Sequence, residues 1–294
     1  MPGAPAATVG VIGGSGLYQI DGLTDRRVLK LATPFGDPSD SIVVGELAGV
    51  RVAFLPRHGK GHRIAPTDIP VRANIYALKS LGVERVISMS AVGSMREDVR
   101  PLDVLVPDQI FDRTTLRERT FFEGGVVAHV GLAEPYCSEL SGQLVAAATG
   151  VAPNVHQRGT YVCIEGPQFS TKAESRIYRL WGVDVIGMTA MPEARLAREA
   201  ELCYATLALI TDFDVWHESA ESVSVEQVTG NLTRNAIVAA ETLVRLLSAL
   251  PPTRTCSCGS ALANSIVTAP ELIPPEIRQK LEVIAGKYLD GRNV

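Results

Sequence analysis

The chain lacks any run of about 18 consecutive apolar residues, so no membrane-spanning helix is expected. It also lacks blocks of like charge: Lys and Arg are scattered and the formal net charge is −4. That leaves no electrostatic footprint for nucleic acid or an anionic membrane, and points to a small-molecule partner. The opening residues MPGAPAATVG have no basic segment followed by an apolar core, so no secretory signal is read and a cytoplasmic location is expected. Cysteine is sparse and odd in number, at five. Cys163 and Cys203 lie in apolar runs and read as buried reduced thiols. Cys256 and Cys258 share a loop, CSCG, with no His or second Cys pair near them in sequence to complete a zinc site; a disulfide or redox pair stays open there.

What is present is enough apolar residue for a large core. With 294 residues, 46% hydrophobic and 20% charged, one α/β domain spanning residues 1–294 is expected, near the upper size for one domain. Short β-branched runs recur: TVGVI (8–12), SIVVG (41–45), RVAFL (51–55), RVISM (85–89), DVLVP (103–107), TYVCI (160–164), VDVIG (183–187) and CYATLALI (203–210). Between several of them lie helical patterns. In IPVRANIYALKSLGV the apolar positions Val71, Ile75, Leu78 and Val83 recur mostly at steps of three and four. Thr171 and Glu174 form a capping-box signature before SRIYRLWG, and a long helix is predicted from about Ser224 to Leu250. Alternating strands and helices predict a largely parallel sheet covered on both faces. The strands within 27–55 are too close for crossover helices and should pair as hairpins. After Leu250 come a Pro-rich loop and a last amphipathic helix carrying Ile277, Leu281 and Ile284.

The glycine loop VGVIGGSGL (9–17) brings backbone close to an anion, but which one is limited by what it lacks. A dinucleotide fingerprint starting at Gly14 and Gly16 needs glycine where Gln19 stands, and an ATP-type loop fails at Gly59-Lys60, which Gly61 follows instead of Ser or Thr. An anion nest with the Ser15 hydroxyl survives both tests. Similar strand ends carry Arg57 and His58, Ser90 and Ala91, and Met188 and Thr189. In a parallel sheet such ends meet at one crevice, and an arginine fork with several hydroxyls there describes an inorganic phosphate site. The segment TDFDVW adds two carboxylates, Asp212 and Asp214, expected on one side of a strand. A metal site, a general acid with a raised pKa, or recognition of an amino-bearing ring all fit such a pair, although no other metal ligand but His217 stands near it.

The ordered segments IGGSGL, TPFGDPSD, RHGKGH, RANIYALK, SAVGS, IEGPQFSTKAE, VIGMTAMPEA, LAREAELCYA and TDFDVW resemble those of the S-methyl-5′-thioadenosine phosphorylases, a branch of the trimeric purine nucleoside phosphorylases. The resemblance covers about residues 8–250. It implies a nucleoside phosphorylase fold: a central mixed β-sheet, partly closed into a barrel and flanked by helices, with residues 251–294 appended as a loop and helix. It implies phosphorolysis of methylthioadenosine to adenine and 5-methylthioribose 1-phosphate, with no cofactor, no metal, and phosphate as co-substrate. By the same resemblance Ser15, Arg57, His58, Ser90, Ala91 and Thr189 form the phosphate site. Phe169 and Met188 pack on base and ribose, Asp212 and Asp214 read the purine, and Val225 and Val228 line the methylthio end. Ser170 and Val225 fall at specificity positions, and His129 is lent to a neighbouring subunit of a homotrimer, or of a pair of trimers. Asp at 212 in place of the Asn common in hypoxanthine and guanine enzymes favours a 6-aminopurine over the alternative, a 6-oxopurine nucleoside or methylthioinosine.

Overall fold

The computed structural model describes residues 5–14, 20–217 and 225–289, with side chains in the last span from residue 230 onward. Ser15 therefore lies outside the described residues, as do the side chains of Val225 and Val228. The elements run β1 (Val9–Gly13), β2 (Thr24–Leu29), β3 (Ile42–Leu47), β4 (Val50–Pro56), α1 (Val71–Ser80), β5 (Arg85–Ser94), β6 (Val104–Val106) and β7 (Gln109–Asp112). There follow α2 (Ser138–Ala148), β8 (Val155–Gln157), β9 (Thr160–Cys163), α3 (Lys172–Leu180), β10 (Val185–Gly187), α4 (Ala190–Glu199), β11 (Cys203–Asp212), α5 (Val225–Ala249) and α6 (Pro275–Leu289). Strands β7 and β8 and helix α2 carry no strong periodic signal and escaped the sequence reading. The capping box at the start of α3 is formed in both directions between Thr171 and Glu174.

All eleven strands join one mixed sheet in the order β2-β3-β4-β1-β5-β10-β9-β7, with β11, β6 and β8 branching from β5. β2, β3 and β4 pair antiparallel, as their short connections required. The strands β5 and β11 are almost continuously buried, which is why they read as unbroken apolar runs rather than alternating ones. Edge strands β2, β7 and β8 each pair with one neighbour, so the sheet does not close on itself among the described residues. Its two faces carry separate helical layers. Ile75 and Leu78 of α1, Leu196 of α4 and Leu281 and Ile284 of α6 pack into one core, and Leu140 and Leu144 of α2 with Leu243 and Leu246 of α5 into the other. Among the described residues no helix is long and apolar enough to cross a membrane.

The sheet is less parallel than expected, and this decides where the site lies. β1 runs parallel to β5 and pairs with it from Arg85 to Ser88, whereas β10 runs antiparallel and pairs with it only at Gly93 and Ser94. Along that edge of β5 the residues from Met89 to Val92 pair with neither strand. β1 and β10 thus point their carboxyl ends at each other across a split in the sheet.

The fold also gathers cysteines that the sequence keeps apart. Cys137 caps α2, Cys203 opens β11, and Cys256 and Cys258 follow α5; their four Sγ atoms lie within 4.8 Å of one another. The second cysteine pair that CSCG lacks in its own neighbourhood is supplied by tertiary structure.

Candidate active site

The split in the sheet opens into a cavity of about 1140 Å³, ample for a nucleoside with an anion beside it. Gly14 after β1, Arg57 and His58 after β4, Ser90 and Ala91 inside β5, and Met188 and Thr189 after β10 all line it. Ser90 does not end a strand, as the sequence suggested. It sits mid-strand where β5 has lost its partner on one side, so its hydroxyl faces the split.

At one end of the cavity the hydroxyls form a set. Ser90 Oγ lies 3.1 Å from Thr189 Oγ1 and 3.1 Å from Tyr161 Oη. Tyr161 reaches there from β9 fully buried, and burial pushes its phenol up to about 12, so it remains a neutral donor. It can pass under β10 because residue 187 is glycine: a Cβ there would stand 1.9 Å from Tyr161 Oη. Arg57 differs from the free fork expected. It is buried and gripped by Glu193, with Nε 2.5 Å from Oε1 and Nη2 3.1 Å from Oε2. Nη2 also donates to Ser88 Oγ at 2.7 Å and Nη1 to Met89 O at 2.9 Å. Glu193 accepts further bonds from Ser88 Oγ and Tyr204 Oη. Burial alone would lower the guanidinium pKa, but the Glu193 carboxylate more than offsets it and Arg57 stays charged. The local charge is thereby close to balanced, and an anion would meet mainly hydroxyls and backbone.

His58 Nδ1 is 2.8 Å from Ile64 O, and since a carbonyl only accepts, that nitrogen carries the hydrogen. Burial is the main cause pushing His58 down to about 4, so the ring is neutral and presents Nε2 as an acceptor.

The carboxylates occupy the other end. β11 ends at Asp212, and Asp214 opens a 3-10 turn with φ of +49°, so their common side comes from this turn and not from strand alternation. The Asp214 backbone N–H donates to Asp212 Oδ1 at 2.8 Å, Thr211 Oγ1 donates to Asp212 Oδ2 at 2.7 Å, and the buried Ser175 hydroxyl donates to Asp214 Oδ2 at 2.6 Å. Burial raises both carboxyls, Asp214 to about 6. Gly93 permits this, since a Cβ there would press on Asp212 Oδ1 at 3.0 Å. Phe169, half exposed, and Ser170 also line the cavity; Ser170 is 8% exposed and its Oγ is buried without a hydrogen-bond partner. Among the described candidate residues only His129 is away from the cavity: it is exposed, with its N–H bonded to Ser265 O.

A profile of the phosphorylase superfamily matches residues 8–248. An S-methyl-5′-thioadenosine phosphorylase of Koribacter versatilis is 53% identical, with 96% of this chain and 97% of that one covered. The chain belongs to the S-methyl-5′-thioadenosine phosphorylase family. Among solved structures, a methylthioadenosine phosphorylase from an Antarctic soil metagenomic library superposes with a TM-score of 0.90 at 49% identity, covering 96% of this chain and 99% of that one. A mutant of the adenosine/methylthioadenosine phosphorylase of Schistosoma mansoni, in complex with methylthioadenosine, gives 0.76 at 36% identity, over 84% and 93%.

Local sequence pattern did not reveal three kinds of residue that hold the cavity-lining groups in place, of which Asn235 alone also lines the cavity. Tyr161 looked like one more apolar strand position, and Glu193 one more helix charge. Arg117 is a buried clamp: its guanidinium binds Met188 O and Met191 O on one side, and Ile164 O and Glu165 O on the other. It thereby fixes the two loops that carry Thr189 and Ser170. Asn231 and Asn235, four apart on α5, donate to Thr211 O and Ile210 O at the end of β11. Their spacing along one helix face was the one signal available from sequence.

Proposed function

We propose that this cavity carries out the reversible phosphorolysis of S-methyl-5′-thioadenosine to adenine and 5-methylthio-α-D-ribose 1-phosphate, a pentosyl transfer. The observation that carries this reading is one cavity with an end lined by hydroxyls and a charge-compensated arginine, and two adjacent carboxyls raised by burial at the other. Cleavage leaves an oxocarbenium-like sugar and an electron-rich purine, so the transition state gains from an anion below the ring and a proton donor at the base. Phosphate, held by Ser15, Arg57, His58, Ser90, the Ala91 backbone and Thr189, attacks C1′ from the face opposite the purine. Its oxygen forms the new C1′–O bond as the C1′–N9 bond breaks, and the bonding pair passes into the purine. Asp212 gives its proton to N7, and Asp214 accepts from the 6-amino group. The neutral His58 suits hydrogen phosphate, whose single P–OH can donate to Nε2. Phe169 and Met188 pack on base and ribose, Ser170 and Val225 tune specificity, and Val228 borders the methylthio group.

No cofactor is required by this scheme. Phosphate is a weak nucleophile that needs position more than activation. We further infer a cytoplasmic homotrimer in which His129 completes a neighbour's 5′ pocket; its exposed place outside its own cavity supports that reading.

The test is steady-state release of adenine from methylthioadenosine with and without phosphate, beside methylthioinosine and inosine. Strict phosphate dependence and preference for the 6-amino substrate are expected. Adenine release that ignores phosphate, or faster turnover of inosine, would contradict the assignment. Asp212→Asn should lower kcat on methylthioadenosine by about 100-fold through loss of the proton donor.

A further inference from the structure

The cysteine cluster lies far from the chemistry. β11 has Cys203 at its first residue and Asp212 at its last, so an extended chain of that length separates cluster and site by about 30 Å. Three of the four thiols, Cys137, Cys203 and Cys258, are at most 4% exposed, and all are free. They come from three places: the cap of α2, the base of β11, and the C-x-C turn that leads from α5 to the C-terminal segment.

We propose that Cys137, Cys203, Cys256 and Cys258 form a tetrathiolate site for a zinc ion, which fastens the segment after α5 to the base of the sheet. The first argument is geometric. Around one zinc with Zn–S bonds of about 2.3 Å, tetrahedral sulfurs stand about 3.8 Å apart. Here every Sγ lies within 4.8 Å of the other three, and Cys203 Sγ is 3.3 Å from Cys256 Sγ. Small side-chain adjustments close that set on an ion. Pairing into two disulfides is the competing outcome, and the thiol state of the anaerobically purified protein distinguishes it.

The second argument is electrostatic. Four thiolates around a divalent ion carry a net charge of −2, which must be compensated where the site is buried. Two guanidiniums are already there: Arg198 Nη1 is 3.7 Å from Cys258 Sγ, and Arg254 Nη1 is 3.9 Å from Cys203 Sγ. The Leu140 N–H, in the first turn of α2, points at Cys137 Sγ from 3.5 Å. Such donors to ligand sulfur are the outer contacts that orient metal thiolates, and a helix N-terminus further favours the anionic form. Neutral thiols would have little use for them. An all-sulfur tetrahedral set selects zinc among the common divalent ions, with iron as the other fit. Binding exchanges the four thiol protons for the ion, with no oxidant involved.

The experiment begins with metal analysis of full-length protein purified anaerobically without added metal. About one equivalent of zinc per chain is expected, released to a chromogenic chelator when an organomercurial blocks the thiols. Replacing it with cobalt(II) should give the strong visible bands of a tetrahedral cobalt thiolate. The double variant Cys256→Ser/Cys258→Ser should bind no metal and lose about 10 °C in Tm while keeping kcat at low temperature. If that variant fails to fold, the zinc stoichiometry and cobalt spectrum of the unmodified chain still decide. Metal-free protein whose four thiols are all open to alkylation, disulfides in the anaerobic preparation, or cobalt without thiolate bands would overturn the proposal.

Discussion

Asp214 shows what one residue costs the protein for its chemistry. Burial lifts its carboxyl from an ordinary 3.8 to about 6, so the folded state holds this proton more tightly than the unfolded chain does. The group's contribution to stability is therefore complete below pH 3.8 and is lost as pH rises through about 6. Above that pH the fold carries a buried carboxylate beside Asp212. Asp214→Asn removes the penalty and keeps an oxygen to accept from Ser175. The variant should be more stable than the parent by about 2–3 kcal/mol at pH 8, with the gain vanishing below pH 4. Urea unfolding at the two pH values measures this, and an equal gain at both would refute the buried-acid account. Glu193, by contrast, has a charged partner. It compensates the buried Arg57, so Glu193→Ala strands a guanidinium in the interior and should cost about 3–5 kcal/mol. A loss under 1 kcal/mol in the same assay would mean that Arg57 reaches solvent.

At the scale of elements, the split between β1 and β10 makes the site, and the residues that keep it open are small. Gly187 lets Tyr161 pass beneath β10 to join Ser90 and Thr189. Gly187→Ala should push the phenol aside, raising KM for phosphate and lowering stability by about 1–3 kcal/mol. Adding Tyr161→Phe removes the nearest atom, though the ring carbon Cζ still lies 2.6 Å from the new methyl, so stability should return in part. If KM for phosphate is unchanged in Gly187→Ala, the hydroxyl set plays no part in anion binding. Much of this scale was legible beforehand. The β-branched runs gave eight strands, and α1, α3, α5 and α6 followed from periodicity and capping. The head-to-head approach of β1 and β10 was not legible, because strand polarity depends on what pairs with what. For the same reason Ser90 read as a strand end: its strand continues, and only its neighbour stops. Tyr161 is 71 residues from Ser90, and Glu193 is 136 from Arg57. Local pattern carries no information over such distances, whereas carboxyl ends of strands could be recognised one at a time.

At the scale of the whole molecule, a group of apolar side chains stands exposed among the described residues. Ile177, Leu180 and Trp181 at the end of α3 are 43, 85 and 57% exposed, and Trp181 meets Phe111 of edge strand β7 edge-to-face. A patch of this kind on an unpaired sheet edge is the sort of surface that the proposed association of copies would cover. On α5, Leu232 and Ile237 line the cavity and are exposed among the described residues. If three copies close around these surfaces, two losses should coincide. Leu180→Glu with Trp181→Glu should turn a trimer into a monomer by light scattering and remove most phosphorolysis, with secondary structure unchanged. The proposed sharing of His129 has its own test, because in a cyclic trimer built that way each site would take Asp212 from one subunit and His129 from the next. His129→Ala and Asp212→Asn chains are each defective alone. Unfolded together in equal amounts and refolded, they should form about a quarter of their sites from an intact Asp212 and an intact His129. Activity should rise to about that fraction of the parent level after mixing. If it stays at the mean of the two variants, His129 serves only its own chain and the shared pocket is ruled out.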